Sequence, residues 1–144
     1  MDFFSKLFGS KKTPEPISSE PDEVELRGNG RFALEVVGES HYQENLEKIC
    51  GPRKEKGENL TIDATLILED NNPYDKQAVR VEISGLHVGY LSREVARLYR
   101  EQIRLGGHPR AIGTCKAKIK GGWERRNGDQ GHYGVWLDIP VEVE

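Results

Sequence analysis

The chain has 144 residues, 35% of them hydrophobic, 31% charged and 8% aromatic, and a net charge of −3. This length fits one compact domain and excludes a helicase motor, a TIM barrel or a two-lobed enzyme. No stretch approaches the roughly 20 consecutive apolar residues that span a bilayer, which excludes an integral membrane protein.

The N-terminal segments are expected to lie outside the folded domain. Residues 1–9 predict a short amphipathic segment that could dock on a protein partner or a membrane surface, since its apolar side chains fall at helical spacing. They also lack the long apolar run of a secretory signal. Residues 10–29 combine prolines, serines and acids with little to bury. We therefore predict a disordered linker there and a barrel domain over residues 30–144.

Short β-branched and alternating segments dominate the rest of the chain, separated by turn residues. Ser40 followed by Gln43 matches a capping box for a first helix, and Ser92 is a candidate N-cap for a second. The pattern predicts six strands, near 31–37, 60–69, 77–83, 86–91, 111–120 and 133–143, and two helices, near 41–50 and 92–105. This order favours a mainly β (α+β) fold, a six-stranded OB-like or SH3-like barrel with two short helices.

The second predicted helix has two contrasting faces. At 100° per residue, one arc carries apolar side chains that we expect to face the core, namely Val95, Leu98, Tyr99 and Ile103. The opposite side carries a basic stripe about 16 Å long, formed by Arg93, Arg97, Arg100 and Arg104. Residues 93–126 hold 10 basic and 3 acidic side chains, whereas residues 13–69 hold 6 basic and 13 acidic ones. The basic half is a candidate surface for a polyanion, although solvated surface charge would give the same composition.

Aromatic side chains accompany the basic ones. Tyr74 lies in the turn Asn71–Lys76, in which Pro73 sets φ at the second position, so its ring has little core to fill. Tyr90 follows a glycine at a strand end, a position that fits the core as well as the surface. Trp123 lies in a Gly-rich turn beside arginines. Single-strand binders need rings that stack on bases and cations that follow phosphates. The sequence thus predicts nucleic-acid binding.

Signals for catalysis are weaker. The chain has no GxSxG, GxxxxGK[ST] or HExxH motif, and its histidines are scattered. Glu69, Asp70 and Asp75 surround one turn and could hold a magnesium ion for phosphodiester hydrolysis. The alternative is that Asp75 hydrogen-bonds within its own turn and the other two face solvent. Cys50 and Cys115 lack the paired spacing of a zinc site and favour a reducing cytoplasm. We expect no enzyme activity, no cofactor and no metal.

One string of residues resembles a known family. The segment NNPYDKQAVRV at 71–81, followed by VGYL at 88–91 and preceded by VVG at 36–38 and by Tyr42, is similar to the HIRAN domain over roughly residues 31–110. HIRAN domains are found at the N-termini of fork-remodelling Swi/Snf-type helicases and as standalone bacterial or phage proteins. The resemblance implies a modified OB-fold. It also implies binding of the 3′-hydroxyl end of single-stranded DNA, as in the eukaryotic helicase version.

The resemblance further implies roles for individual residues. Asn71 and Asn72 would contact the terminal nucleotide, and Tyr74 would stack on a base. Asp75 would accept the 3′-hydroxyl proton. Arg93 matches a basic position that meets a phosphate.

Other positions depart from the family pattern or lie beside it. Tyr90 takes the place of a histidine that lines the same pocket. Ser40 and His41 stand where the helicase version has an arginine and a stacking tyrosine, so one phosphate contact is lost and His41 is a weaker platform than tyrosine. The basic and aromatic pattern adds three more candidates for DNA binding, Arg97, Arg100 and Trp123.

These observations favour a non-enzymatic module that recognises single-stranded DNA, at 3′ ends, in DNA repair or stalled-fork processing. The alternative is a protein-interaction adaptor without DNA binding, in which residues 1–9 or the arginine-rich helix engages a partner. The two differ in salt dependence, because a DNA complex releases counterions and weakens steeply as salt is added.

Overall fold

Residues 22–141, which the computed structural model describes, contain seven strands and two α-helices. In chain order the elements are β1 (Glu23–Glu25), β2 (Leu34–Glu35), a 3₁₀ turn (Glu39–His41), α1 (Gln43–Cys50), β3 (Glu58–Glu69), β4 (Ala78–Ile83), β5 (Leu86–Tyr90), α2 (Arg93–Leu105), β6 (Ile112–Gly121) and β7 (Tyr133–Asp138). All seven strands join one sheet, in the order β2-β7-β6-β3-β4-β5, with β1 beside β6.

Two long strands form the spine of this sheet. β3 and β6 pair antiparallel along Glu58–Leu66 of β3. On one side β3 pairs with β4 and β4 with β5, and on the other side β6 pairs with β7 and β7 with β2. The sheet curls until Val37, just after β2, and Tyr90, at the end of β5, exchange two backbone hydrogen bonds of 2.8 and 2.9 Å. We call this bonded pair the seam.

The core lies inside the curl and follows the two-residue period of the strands. On β6 the buried positions are Gly113, Cys115, Ala117 and Ile119, and the lysines alternate with them on the outside. Gly113 is needed because a Cβ there would come within 2.3 Å of the Tyr99 hydroxyl oxygen, which α2 places against the sheet. The mainly β prediction is confirmed: the strands form a curled antiparallel half-barrel with two helices, consistent with an OB-like fold.

The prediction of a linker over residues 10–29 is wrong at its C-terminal end, and the sheet has seven strands rather than six. β1 lies within that segment and pairs in parallel with the start of β6. Val24 and Leu26 are 1% and 2% exposed. The strand forms because β7 pairs with β6 only from Lys116 onward, which leaves backbone groups of residues 112–114 to be satisfied. Residues 1–21, including the amphipathic segment and the rest of the linker, lie outside the described residues.

Three further boundaries differ from the predictions. The strand predicted at 31–37 is reduced to the two residues of β2, because Phe32 has a left-handed φ of 51° that interrupts the extended run. β7 ends at Asp138 rather than 143. α1 begins at Gln43 without a side-chain cap from Ser40. The Gln43 amide instead donates to the carbonyls of Glu39 and Tyr133, at 2.9 and 3.0 Å.

The second helix begins as predicted, but its core face is rotated. The Ser92 hydroxyl accepts a hydrogen bond from the Val95 N–H at 3.2 Å and caps α2. Leu98, predicted to be in the core, is 42% exposed, whereas Ala96 is fully buried. A small alanine on this arc lets the helix approach the sheet closely, and Leu98 is turned toward solvent. Neither helix within residues 22–141 is long and apolar enough to cross a membrane.

Candidate nucleic-acid interface

The turn between β3 and β4 is held in shape by its own side chains. Asn72 Oδ1 accepts hydrogen bonds from the backbone N–H groups of Tyr74 and Asp75, at 2.8 and 3.0 Å. Asp75 Oδ1 accepts another from the N–H of Gln77 at 2.9 Å. These bonds fix the backbone on both sides of Tyr74, a residue that is 86% exposed. The turn therefore presents a tyrosine to solvent on a rigid base.

Glu69, the last residue of β3, connects this turn to the sheet. One carboxylate oxygen accepts hydrogen bonds from Asn72 Nδ2 and from the Tyr90 hydroxyl, both at 2.9 Å. The other accepts from Arg80 Nη1, also at 2.9 Å. Three elements thus meet on one carboxylate: the turn, β4 and the end of β5. We call Glu69, Asn72, Arg80 and Tyr90 the Glu69 cluster.

The Glu69 cluster fixes the protonation of its members. Burial alone would raise the pKa of Glu69, but the hydrogen bonds from Asn72, Tyr90 and Arg80 outweigh it, so its pKa lies below the usual value. Burial and the neighbouring Glu69 carboxylate together raise the pKa of Tyr90 to about 12. The hydroxyl of Tyr90 therefore stays protonated at neutral pH and donates to an ionised Glu69.

A cleft of about 630 Å³ opens beside the turn. Its lining includes the Glu69 cluster together with Asn71, Tyr74 and Arg110. Asn71 is exposed, and Arg110 forms an ion pair with Asp70 while its side chain remains 68% exposed. The hydrogen bonds from Arg110 and Arg100 hold the pKa of Asp70 below its usual value. Sequence reasoning missed Arg110, because it lies after α2 and about 30 residues beyond the motif.

The predicted arginine stripe divides into different roles. Arg93 lies against the turn, with Nη2 3.4 Å from the Tyr74 carbonyl oxygen and Nε 3.8 Å from Asp75 Oδ2. Its side chain is 67% exposed, so a phosphate could reach it. The structure thus brings Arg93 together with the turn.

Arg100 is placed differently. Its guanidinium donates to the carbonyls of Gln77 and Ala78 at 2.7 and 2.9 Å, and to Asp70 Oδ1 at 2.9 Å. These bonds attach α2 to the turn and leave the group little capacity for a phosphate. Arg97 is exposed and donates to Gln77 Oε1 at 2.8 Å, and Arg104 is paired with Glu101. The stripe is therefore partly a structural clamp.

A row of aromatic rings extends from the cleft toward the 3₁₀ turn. The Tyr90 ring meets His87 edge to face with centroids 4.8 Å apart, and His87 stacks on Tyr42 at 4.0 Å. His41, the candidate platform, is exposed at the far end, 6.4 Å from the Tyr42 ring. Burial lowers the pKa of His87, which keeps its ring neutral at physiological pH. The stacked pair was not predicted, since Tyr42 and His87 are far apart in sequence.

Trp123 is not brought together with the other candidates. It forms a β-bridge with Lys54, and the nearby Gly121 pairs with Glu58 at the first position of β3. The Glu69 cluster lies at the last position of this 12-residue strand, roughly 36 Å away along the backbone at about 3.3 Å per residue. Arg125 covers the Trp123 ring at 4.4 Å. Trp123 therefore belongs to the opposite end of the domain.

The carboxylates considered for a metal site are already engaged by protein groups. Glu69 accepts from Arg80, Asp70 pairs with Arg100 and Arg110, and Asp75 binds its own turn. Within residues 22–141 no group of three or more histidine, cysteine, aspartate or glutamate side chains is arranged to hold a metal ion. A divalent cation here would have to compete with arginines for the same oxygens.

The fold and the cleft define a class of protein, a small OB-like β domain with an exposed tyrosine and basic side chains at one end. Residues 29–120 match the family model of the HIRAN domain. The chain belongs to the HIRAN domain family, whose members are DNA-binding modules that are not catalytic by themselves. A solved relative is the HIRAN domain of human HLTF, with 20% identity, coverage of 76% of this chain and 74% of that one, and a TM-score of 0.36. No curated protein sequence matches the chain.

Proposed function

We propose that the cleft beside Tyr74 binds the 3′ end of single-stranded DNA, and that the chain is a non-enzymatic recognition module in DNA repair or stalled-fork processing. The observation that best supports this is Tyr74, a residue 86% exposed on a rigid turn with Arg93 and Arg110 beside it. A base can stack on this ring without rearrangement, and such stacking contributes about 1–3 kcal/mol per base. We also propose that the protein is located in a reducing cytoplasm, which the free cysteines Cys50 and Cys115 support.

Residues of the turn divide into those that build the cleft and those that touch the nucleotide. Asn72 uses its amide oxygen for the turn and its amide nitrogen for Glu69, so it is a positioning residue. Asn71 is exposed in the lining and is free to meet the nucleotide. Asp75 binds the turn through Oδ1, and its other oxygen faces Arg93 at 3.8 Å. That oxygen would accept a hydrogen bond from a 3′-hydroxyl, whereas a 3′-phosphate would be repelled.

Replacement of Tyr74 tests the stacking platform. Tyr74→Ala should weaken binding of a short single strand about 5- to 150-fold, which corresponds to about 1–3 kcal/mol. The free energy of unfolding should change by no more than about 0.5 kcal/mol, because the ring is exposed. Fluorescence anisotropy with a 5′-labelled strand and urea unfolding measure the two quantities. Unchanged affinity would show that the ring is not a platform.

Replacement of Asp75 tests recognition of the end itself. Asp75→Asn keeps an oxygen for the Gln77 N–H and removes the charge, so the turn survives. Affinity for a 3′-hydroxyl strand should fall about 5- to 10-fold, because a charge-assisted hydrogen bond becomes a neutral one about 1 kcal/mol weaker. Affinity for the same strand with a 3′-phosphate should stay equal or rise. Equal changes for both ends would reduce Asp75 to a turn residue and refute end recognition.

The adaptor function remains the second candidate because α2 exposes two leucines, Leu98 at 42% and Leu105 at 70%. Exposed apolar side chains on one helix can serve a protein partner. A salt titration of the wild-type chain with single-stranded DNA discriminates the two functions. A DNA-binding module loses affinity with a log–log slope of about −0.7 for each phosphate contacted, whereas an adaptor shows no DNA binding at any salt concentration.

A further inference from the structure

The outer face of β6, β7 and β2 carries a second basic and aromatic surface, distant from the turn. The cross-strand pairs are Lys118 with Trp136, Lys120 with Gly134, and Glu35 with Trp136. The ammonium group of Lys120 lies 5.4 Å from the centroid of the Trp136 ring, and that of Lys118 lies 4.9 Å from the Phe32 ring. We call Lys118, Lys120, Phe32 and Trp136 the β6–β7 face.

The lysines of this face differ from their neighbour on the same strand. Lys116 is joined to Asp63 by a salt bridge of 2.6 Å. Within residues 22–141 no carboxylate forms a salt bridge with Lys118 or Lys120, whose ammonium groups rest over aromatic rings. A cation held only by a cation–π contact, which is weak at an exposed site, is available to a phosphate.

A groove of about 470 Å³ runs along the edge of this face. Trp136, Lys120 and Gly134 line one side, and Gly38 and Ser40 of the segment before α1 line the other. Gly134 has a clear reason to be glycine, since a Cβ there would come within 2.6 Å of Cη2 of Trp136. The indole therefore lies over the bare backbone of β7, and its ring forms part of the floor of a polar groove.

Strand pairing connects the groove with the cleft beside Tyr74. Tyr90, which lines that cleft, pairs with Val37 across the seam. Val37, two residues after Glu35, faces the same outer side of the sheet, since both are exposed and Val36 between them is buried. Glu35 pairs with Trp136, which pairs with Lys118. Three strand spacings of about 4.8 Å and one two-residue step of about 6.6 Å give a path of about 21 Å from Tyr90 to Lys118. A single strand can follow this outer surface without crossing the core.

We infer that the β6–β7 face binds the body of a single-stranded nucleic acid whose 3′ end occupies the Tyr74 cleft, the strand crossing the seam rather than following α2. The inference rests on the proposed function, because the cleft supplies the starting point. Arg100 supports it by its engagement with Gln77, Ala78 and Asp70, which removes the middle of the α2 stripe as a phosphate track.

Two acidic side chains also line the groove, and only one of them faces the path of the strand. The Glu39 carboxylate accepts a hydrogen bond from the Val135 N–H at 3.0 Å, so it is directed at the protein backbone. Glu35 is exposed beside Trp136 and faces the path of the strand. Removal of its charge by Glu35→Gln should therefore strengthen the binding of a long strand and leave a short one unaffected.

Trp136 itself supplies the direct readout. The chain has two tryptophans, so a Trp123→Phe variant reports on Trp136 alone. A 3′-hydroxyl oligothymidine of about 20 nucleotides, longer than the roughly 4–16 nucleotides that one OB fold covers, should quench this fluorescence by stacking. An oligothymidine of about three nucleotides should bind without quenching, because it fills only the cleft. Equal quenching by both, or by neither at saturation, would overturn the inference.

Charge removal gives an independent measurement on the full chain. The double variant Lys118→Gln, Lys120→Gln should bind the long strand about 10-fold more weakly at about 0.1 M salt, with a salt slope reduced by about 1.4. Its affinity for the short strand should not change. Lys116→Gln is the matched control, since Lys116 is already paired with Asp63 and should have little effect. Equal effects of the double variant and the control would contradict the inference.

The failure of the inference and the failure of the proposed function give different results. If Tyr74→Ala weakens binding of the short strand while the lysine variants leave binding of the long strand unaffected, the cleft is supported and the β6–β7 face is refuted. If the lysine variants weaken binding of the long strand and Tyr74→Ala does not change the affinity for either strand, the β6–β7 face is supported and the proposed cleft is refuted.

Discussion

Replacement of Glu69 by glutamine places two physical effects in opposition. The carboxylate lies beneath the proposed DNA site, so electrostatics alone predict that Glu69→Gln strengthens binding of a polyanion. The carboxylate also accepts three hydrogen bonds, from Asn72, Tyr90 and Arg80, which hold the turn in place. We expect the second effect to dominate, because the glutamine amide group would direct N–H donors at groups that are themselves donors.

The magnitude follows from the bonds that change. A hydrogen bond to a charged group contributes about 1.5–3 kcal/mol and a neutral one about 1 kcal/mol. The Glu69 side chain is only 17% exposed, so water does not replace the lost acceptor well. Three weakened bonds, one of them facing an N–H group, give an expected loss of about 2–3 kcal/mol in the free energy of unfolding. DNA affinity should fall rather than rise, because the turn under Tyr74 loses its anchor.

A pH series identifies the carboxylate as the cause. The pKa of Glu69 in the folded chain is lower than its ordinary value of 4.5. Its contribution to stability is therefore fully present above the unfolded pKa and is lost as the pH falls through the folded value. Wild-type stability should decline below about pH 5. Glu69→Gln should show a shallower decline over the same range, since its side chain does not titrate.

Urea unfolding and fluorescence anisotropy with a labelled single strand provide the measurements, and Glu82→Gln is the matched control. Glu82 pairs with the same Arg80, at 2.8 Å from Nε, but contacts neither the turn nor Tyr90. The control should cost no more than about 1 kcal/mol, because it removes an ion pair that makes no hydrogen bond, and it should leave DNA affinity unchanged. Unchanged stability of Glu69→Gln combined with tighter DNA binding would refute the anchoring role.

Three further predictions concern stability and can be checked by urea unfolding of each variant. Leu98→Ala should lower the free energy of unfolding by about 0.5 kcal/mol or less, because Leu98 is exposed, whereas Ile103→Ala should lower it by about 2–5 kcal/mol. The reverse order would mean that α2 is rotated. Arg100→Ala should destabilise the chain by about 1–3 kcal/mol through its lost hydrogen bonds, while Arg97→Ala should have almost no effect. Equal effects would contradict the role of Arg100 in attaching α2 to the turn. A chain shortened to begin at residue 30 should lose about 3–6 kcal/mol relative to one beginning at residue 22, since the side chains of Val24 and Leu26 leave the core. Equal stability of the two chains would show that β1 and Leu26 are dispensable.

The long strands could be predicted because a two-residue alternation leaves a direct trace in the sequence. β3, β4, β6 and β7 each bury one face, so their apolar residues alternate. β1 escaped prediction because only Val24 and Leu26 mark it, and its partner β6 is nearly 90 residues away. In α2 the choice between Leu98 and Ala96 depends on how closely the helix approaches the sheet, which no single helix pattern specifies.

The candidate site was predictable where its chemistry is local and not where elements converge. The Asn72 and Asp75 turn follows from residue types three positions apart, and the structure places Tyr74 on it. The convergence of donors on Glu69 requires three elements to be positioned in space, so spacing along the chain does not reveal it. Trp123 is the converse case, because residue type alone cannot tell which end of a strand a loop occupies.

The seam gives the pocket wall a mechanical role. Tyr90 lines the proposed cleft and at the same time holds the edge of the sheet through its bonds to Val37, a residue outside any regular strand. We expect this closure, which rests on two backbone hydrogen bonds, to open at a lower free energy than the whole domain unfolds. Any molecule that rests on Tyr90 in the closed state favours that state by mass action. Local opening of the sheet at the seam and binding in the cleft are therefore coupled equilibria. A strand bound in the cleft should stabilise the closed half-barrel against opening.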